Sequence, residues 1–152
     1  MLEFEEKQEV TGDFHLRVLR NGQPIEQVDD HNLVVYTGRA RLAQLLAGKT
    51  TNTIAYVGVG SGAATELDAD TQLTDQQTFT ITGSSVDGRD ARFDFLIKES
   101  EANGLAIREF GLFCEDGTMF SHRVRRRKDT GTASVIDKQD DISIEGYWII
   151  HF

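Results

Sequence analysis

Apolar and polar positions alternate along most of the chain, and a period of two is the signature of a half-buried strand. Phe14, Leu16 and Val18 fall on one face, with His15 and Arg17 on the other. Asn21-Gly22 follows, a strong hairpin signal because a type I′ turn needs φ > 0 at both central positions. Pro24 lies just beyond, so the returning strand is expected from about Ile25 to Asp29, at an edge or strand start. Asp30 to Tyr36 is read as a bridge. The chain's one helical pattern comes next: Thr37 as N-cap, Leu42, Leu45 and Leu46 as the apolar stripe, and Gly48 as the stop. Such a short helix is not stable alone and must pack on a sheet.

Strands resume at Ile54–Gly60, a dense run of β-formers closed by glycines. Residues 61–75 are polar and Asp-rich, a loop with room for one helical turn. Phe79 and Ile81 share a face, Asp87-Gly88 marks a hairpin, and Phe93, Phe95 and Ile97 alternate with Arg92, Asp94 and Lys98. Leu105 and Ile107 have one parity, while Phe110, Leu112 and Cys114 have the other, so a bulge is expected near Arg108-Glu109. After a turn at Glu115-Asp116-Gly117, Phe120, His122 and Val124 align. A brief strand is expected at 133–136. The last strand carries Ile142, Ile144, Trp148, Ile150 and Phe152 on one face, which implies a C-terminal segment locked into a sheet. The pattern predicts a mainly β protein, an antiparallel β-sandwich of about seven to nine strands with one short α-helix. The expected division is an acidic, loosely held arm over residues 1–11 and a single domain over 12–152.

Composition narrows the function classes. At 152 residues the chain can bury a core without staples. Its single cysteine, Cys114, excludes an internal disulfide, as expected of a protein made in a reducing compartment such as a host cytoplasm. No apolar run approaches the roughly 18 residues of a membrane span. The net charge of −9 argues against nucleic acid as partner. One segment breaks that balance. Arg123-Val-Arg-Arg-Arg-Lys128 holds five of the sixteen basic residues, and setting those five aside from the total of −9 leaves −14 on the rest of the chain. Without interleaved aromatics the run is no base-stacking surface. Arginine makes bidentate carboxylate contacts and is enriched at interfaces. Arg123, Arg125, Arg126, Arg127 and Lys128 are therefore the candidate assembly interface, and a loop that only offsets local acidity is the plain alternative.

The other chemical signals are weak. Gly58, Gly60 and Ala63 match a dinucleotide fingerprint, but the βαβ context is missing. Asp68 and Asp70 start like a calcium loop, yet Gln72, Leu73 and Phe79 stand where a ligand, a glycine and the closing carboxylate belong. His15, His31, His122 and His151 lack helical metal spacing; His122 and His151 are both in expected strands, where a cross-sheet meeting is the one route to a shared metal. There is no G-x-S-x-G elbow, and Cys114 reads as a small hydrophobe. No catalytic residue, metal or cofactor is expected. For carbohydrate recognition the platform would be Tyr147, since Trp148 has the parity of the core.

Four stretches carry a resemblance: His31-Asn-Leu-Val-Val35 with Thr37-Gly38; Ile54-Ala-Tyr-Val-Gly-Val-Gly-Ser-Gly62 with Asp70-Thr71-Gln72-Leu73; Glu101-Ala-Asn-Gly104 with Ile107-Arg-Glu-Phe-Gly-Leu-Phe113 and Asp116-Gly-Thr-Met119; and Glu145-Gly-Tyr-Trp-Ile-Ile-His-Phe152. Over residues 31–152 the chain resembles small tailed-phage virion proteins related to the tail-proximal modules of tail fibres and tail-collar fibres. The resemblance implies a non-enzymatic structural part of a phage tail, located in the virion. Its expected partners are other tail or baseplate proteins and further copies of the chain in a trimer or ring. Fibre proteins usually continue into a shaft and a receptor-binding tip, whereas this sequence ends at Phe152, so a baseplate, collar or fibre-attachment role is expected. A carbohydrate- or receptor-binding sandwich is the alternative.

Overall fold

The computed structural model describes residues 9–152, so most of the expected arm, residues 1–8, lies outside the described residues. The fold is mainly β and antiparallel, with one short helix, as the alternation predicts. Its first hairpin is β1 (Thr11–Arg20) and β2 (Gln23–Val34), joined at Asn21-Gly22 with both residues at positive φ. Thr11, placed by sequence in the arm, already pairs with His151. β2 also runs five residues past its expected end at Asp29. The reason is a change of partner: it pairs with β1 as far as Asn32, and its last residues, Leu33 and Val34, pair with β9. Pro24 is opposite Leu19 where the register slips and leaves half-exposed Ile25 as the extra residue, a site that tolerates a missing N–H.

The helix α1 spans Tyr36–Leu46. Thr37 is not its cap: Val35 holds that position without a side-chain bond, and the Thr37 hydroxyl donates to the Met119 carbonyl (2.6 Å). Gly48 does stop the helix, at φ +67, with its N–H on Leu45 O and the Lys49 N–H on Gln44 O, the paired bonds of a Schellman end. Leu46, expected in the apolar stripe, is 92% exposed. Leu42 of the stripe does pack against the main core, and Gly38 and Arg41 are the helix's buried residues. A Cβ at Gly38 would overlap the Phe120 carbonyl, so the missing side chain is what lets helix and sheet approach.

Further strands are β3 (Ile54–Gly60), β4 (Gln77–Thr80), β5 (Gly83–Asp87), β6 (Asp90–Ile97), β7 (Ala106–Ile107), β8 (Glu109–Cys114), β9 (Met119–Val124), β10 (Ile136–Asp137) and β11 (Ile142–His151). Nine form one curled sheet in the order β4-β3-β8-β9-β2-β1-β11-β6-β5, and β7 pairs with β10 in a small second sheet. The two layers of the expected sandwich are thus the two halves of one sheet. Its end strands, β4 and β5, are consecutive in sequence. At the corner between them Ile81 donates to Ala55 O and Thr82 to Asp94 O, so the sheet curls until its edges lie in one stretch of chain. Phe14, Phe110 and Trp148 meet inside, with centroids 5.1 Å and 4.8 Å from Phe14.

The change of parity expected near Arg108 is present as a strand break: Ile107 ends β7, Glu109 begins β8, and Arg108 N–H donates to Gly60 O between them. A second bulge was not legible. Leu112 pairs with Ser121 but Phe113 with Met119, which leaves Phe120 as an extra residue on β9. Phe120 enters the main core, and His122 turns to the opposite side of the sheet, away from the alignment its spacing suggested.

Candidate functional site

β8 is buried along its whole length, on both faces. Phe110, Leu112 and Cys114 face the main core; Phe113 faces a second cluster with Val35, Leu73 and Met119. The second face is covered by residues 61–75, which form no helix, carry a hydrogen-bonded turn from Leu67 to Asp70 and run across the face as a strap. Four carboxylate anchors hold the strap down. Glu109 on β8 accepts from Gly62 N–H (2.5 Å) and Thr74 N–H (3.0 Å), the two ends of the strap, through Oε2. Asp70, at mid-strap, lies 2.8 Å from His122 Nδ1, and His122 Nε2 lies 2.8 Å from Glu109 Oε1. The site has the geometry of an imidazolium, with both ring nitrogens placed to donate to a carboxylate oxygen. Burial opposes that charge, but the bonds to Glu109 and Asp70 outweigh it and hold the pKa above the ordinary histidine value. Asp68 meets Arg39 of α1 in a two-pronged pair (2.7 and 2.9 Å).

The fourth anchor is Glu66, and it reaches the basic segment. Its carboxylate accepts from the Val124 N–H and from Arg126 (3.1 Å), and lies 3.8 Å from Arg123. Burial raises the Glu66 pKa, and the Arg126 and backbone bonds more than reverse the effect. Arg123 also binds Asp30 (2.6 Å), Arg125 binds Glu26, and Arg127 binds Asp129 (3.1 Å). Four of the five positive charges therefore have carboxylate partners within the chain. Backbone bonds from Ser134 to Arg125 and from Arg127 to Thr132 fold residues 125–134 into a narrow hairpin with Lys128 and Asp129 near its tip. Of the five candidate interface residues, Arg125 is buried, with its side chain 4% exposed, and Arg123 and Arg126 are about one-fifth exposed. Arg127 and Lys128 stand out in solvent. The segment and the acidic residues of β2 enclose a cleft of about 650 Å³. The +5 loop set against a −14 body is thus matched largely in place, by Glu26, Asp30, Glu66 and Asp129. None of these partners is near the run in sequence except Asp129, which is why composition did not reveal the pairing.

The remaining histidines also face carboxylates. His151 stands between Asp13 (2.7 Å) and Asp90 (2.7 Å), and its hydrogen bonds to Asp13 and then Asp90 raise its pKa. His31 shares Asp13 (2.7 Å), and His15 contacts Asp29 (2.6 Å). His122 and His151 do not meet, because β2 and β1 separate their strands. Among the described residues, no group of three or more His, Cys, Asp and Glu is arranged to hold a metal ion. Asp68 and Asp70 point to different partners, Arg39 and His122. Cys114 is fully buried, and burial pushes its thiol up to about 11. Gly58 and Gly60 pack against Phe113 and the strap, with no room for a pyrophosphate where a Cβ would already collide.

Tyr147 lies on the outer face, as its parity predicts, in a groove of about 530 Å³. His15 stacks on its ring at 4.7 Å, and the Arg92 guanidinium sits 3.8 Å from the ring centre. β1 and β6 flank β11 on opposite sides, and each brings one of these groups against the ring that a sugar would stack on. Trp148 is fully buried. No family model, curated protein or solved structure matches the chain.

Proposed function

We propose that the protein is a structural, non-enzymatic assembly module of a phage tail, serving as a baseplate, collar or fibre-attachment adaptor. One observation supports this reading above the others: the stretches that carry the resemblance make up the framework rather than the wall of a reaction cleft. The stretches Ile54–Gly62 and Ile107–Phe113 contain β3 and most of its neighbour β8. Leu73, of the Asp70–Leu73 stretch, packs in the cluster with Phe113. Gly38 and Met119 bring helix and β9 together. A part with this construction presents a rigid surface to neighbours. Its contact points are the tip residues Arg127 and Lys128, with Arg123, Arg125 and Arg126 holding the hairpin by internal pairs. The partners are acidic surfaces of other tail proteins or further copies of this chain.

The test is a double reversal, Arg127→Glu with Lys128→Glu, followed by particle incorporation and by the size of the purified assembly. Loss of incorporation with unchanged melting behaviour is expected. Full incorporation of the reversed protein overturns the interface.

A further inference from the structure

We propose that the strap over residues 61–75 is a pH-released cover on the β3–β8–β9 face, with protonated His122 as its latch. This inference does not depend on the tail reading. It rests on where one imidazole is placed. The bulge at Phe120 points His122 at the strap, and the ring fills the space between Asp70 of the strap and Glu109 of the sheet, 2.8 Å from each. Both contacts are hydrogen bonds only while the ring carries two protons. Removing one leaves a carboxylate facing a bare ring nitrogen. At the Glu109 side that leaves a buried carboxylate without its counter-charge, and at the Asp70 side it frees the run between Asp68 and Thr74 from the sheet.

The charged surroundings make deprotonation act on the strap. Asp70 comes from the strap and Glu109 from β8, while β2 brings uncharged Leu33 opposite His122. On β9 itself, Arg123 is engaged by Asp30 and Glu66, and Glu66 is further matched by Arg126. Arg39 of α1 is engaged by Asp68. No positive group besides His122 contacts Asp70 or the Glu109 carboxylate among the described residues, so loss of its proton leaves two carboxylates about one imidazole apart. The strap keeps its Glu109 bonds to Gly62 and Thr74, its Glu66 bonds to Val124 and Arg126 and its Asp68 pair with Arg39, so the part that lifts is the short run 69–73 between Asp68 and Thr74. Lifting uncovers Phe113 and Met119, which Leu73 packs against in the closed state.

The sign follows from the raised pKa. The hold is complete below the ordinary histidine value of 6.5 and is lost as pH rises through the higher folded value. The experiment is amide hydrogen exchange by mass spectrometry on the full chain, with strap peptides read against β8 peptides at each pH to remove the intrinsic rate. Relative exchange of the strap is expected to rise at least about tenfold across one titration step, at the pH where the His122 ring signals titrate by NMR. His122→Gln is expected to abolish the step. Asp70→Asn, which removes only the strap-side carboxylate and leaves the buried pair, keeps the test open should His122→Gln not fold; it is expected to move the step to lower pH. Strap protection that stays level while His122 titrates overturns the proposal, as does a step unmoved in Asp70→Asn.

Discussion

Phe14 and Phe110 meet with ring centroids 5.1 Å apart although β1 and β8 are not neighbours in the sheet. They touch because the sheet curls, so their contact reports closure of the fold rather than pairing of two strands. Phe14→Ala is expected to cost about 3–5 kcal/mol, as large-to-small changes at buried phenylalanines do. Ile25→Ala, at the half-exposed bulge of β2, is expected to stay within about 0.5 kcal/mol. Denaturant midpoints for the pair check both values.

Two glycines are required by backbone contact. A Cβ at Gly38 would overlap the Phe120 carbonyl oxygen, and one at Gly146 would overlap the His15 carbonyl oxygen. Backbone cannot swing aside as a long side chain can. Gly38→Ala and Gly146→Ala are each expected to lose about 1–3 kcal/mol, by overpacking. Thermal melts of the two variants measure it, and equal stability to the parent protein contradicts the packing described for α1 and β11.

The arginines of the basic segment separate by burial. Arg125 is buried and its partner Glu26 half-exposed, so Arg125→Ala is expected to lose about 2 kcal/mol from stranded packing and a lost charge-assisted bond. Arg127 and Asp129 are both mostly exposed, and Arg127→Ala is expected within about 0.5 kcal/mol. Urea unfolding of both variants reads the contrast directly.

His151 adds a pH term at the seam between β1, β11 and β6. Its pKa is raised by Asp13 and Asp90, so the stabilisation is fully present below the ordinary value of 6.5 and fades as pH rises through the folded value. His151→Gln is expected to flatten the alkaline part of the stability–pH curve and to leave the strap's own exchange step in place. Stability curves that start near pH 5 and continue above pH 8, roughly the span in which ordinary histidines titrate and beyond it, supply the comparison.

Cys114 should be silent in the folded protein. With its thiol pushed up to about 11 and no exposed surface, it presents almost no thiolate near neutrality. Reaction with a thiol reagent at pH 8 is expected to proceed at the rate of unfolding, and to become fast in denaturant. A rapid reaction under native conditions contradicts the burial of β8.

Much of the framework was readable because it depends on local period. Phe14 to Val18, Phe93 to Ile97 and Ile142 to Ile150 alternate with period two, and the structure buries those faces. The turns at Asn21-Gly22 and Gly117 and the stop at Gly48 follow from positive φ, a property of single residues. Leu46, Phe152 and His122 depart from the facing their spacing predicts for one shared reason: tertiary contacts end or shift the pattern at each of them. Leu46 lies past the packed turns of α1, Phe152 lies past the end of β11 and is half-exposed, and His122 follows a bulge that adds one residue. The candidate interface was legible as five charges in six positions, but not as a segment whose charges are mostly spoken for. Glu109 carries its own signal in the sequence, a lone carboxylate inside the otherwise apolar-rich run Ile107–Phe113.

Sequence alone therefore determined that the chain is mainly β, where its turns fall and which faces are apolar, since alternation and backbone preference act over a few residues. Only the tertiary structure decided that the two layers are one curled sheet, that Glu109, His122 and Asp70 converge under a strap, and that Glu26, Asp30 and Glu66 match the basic segment. Those partners are brought from 13 to 99 positions apart. Charge pairing and strand closure depend on distance in space, and no pattern within a short window of sequence encodes which distant carboxylate will arrive beside which cation.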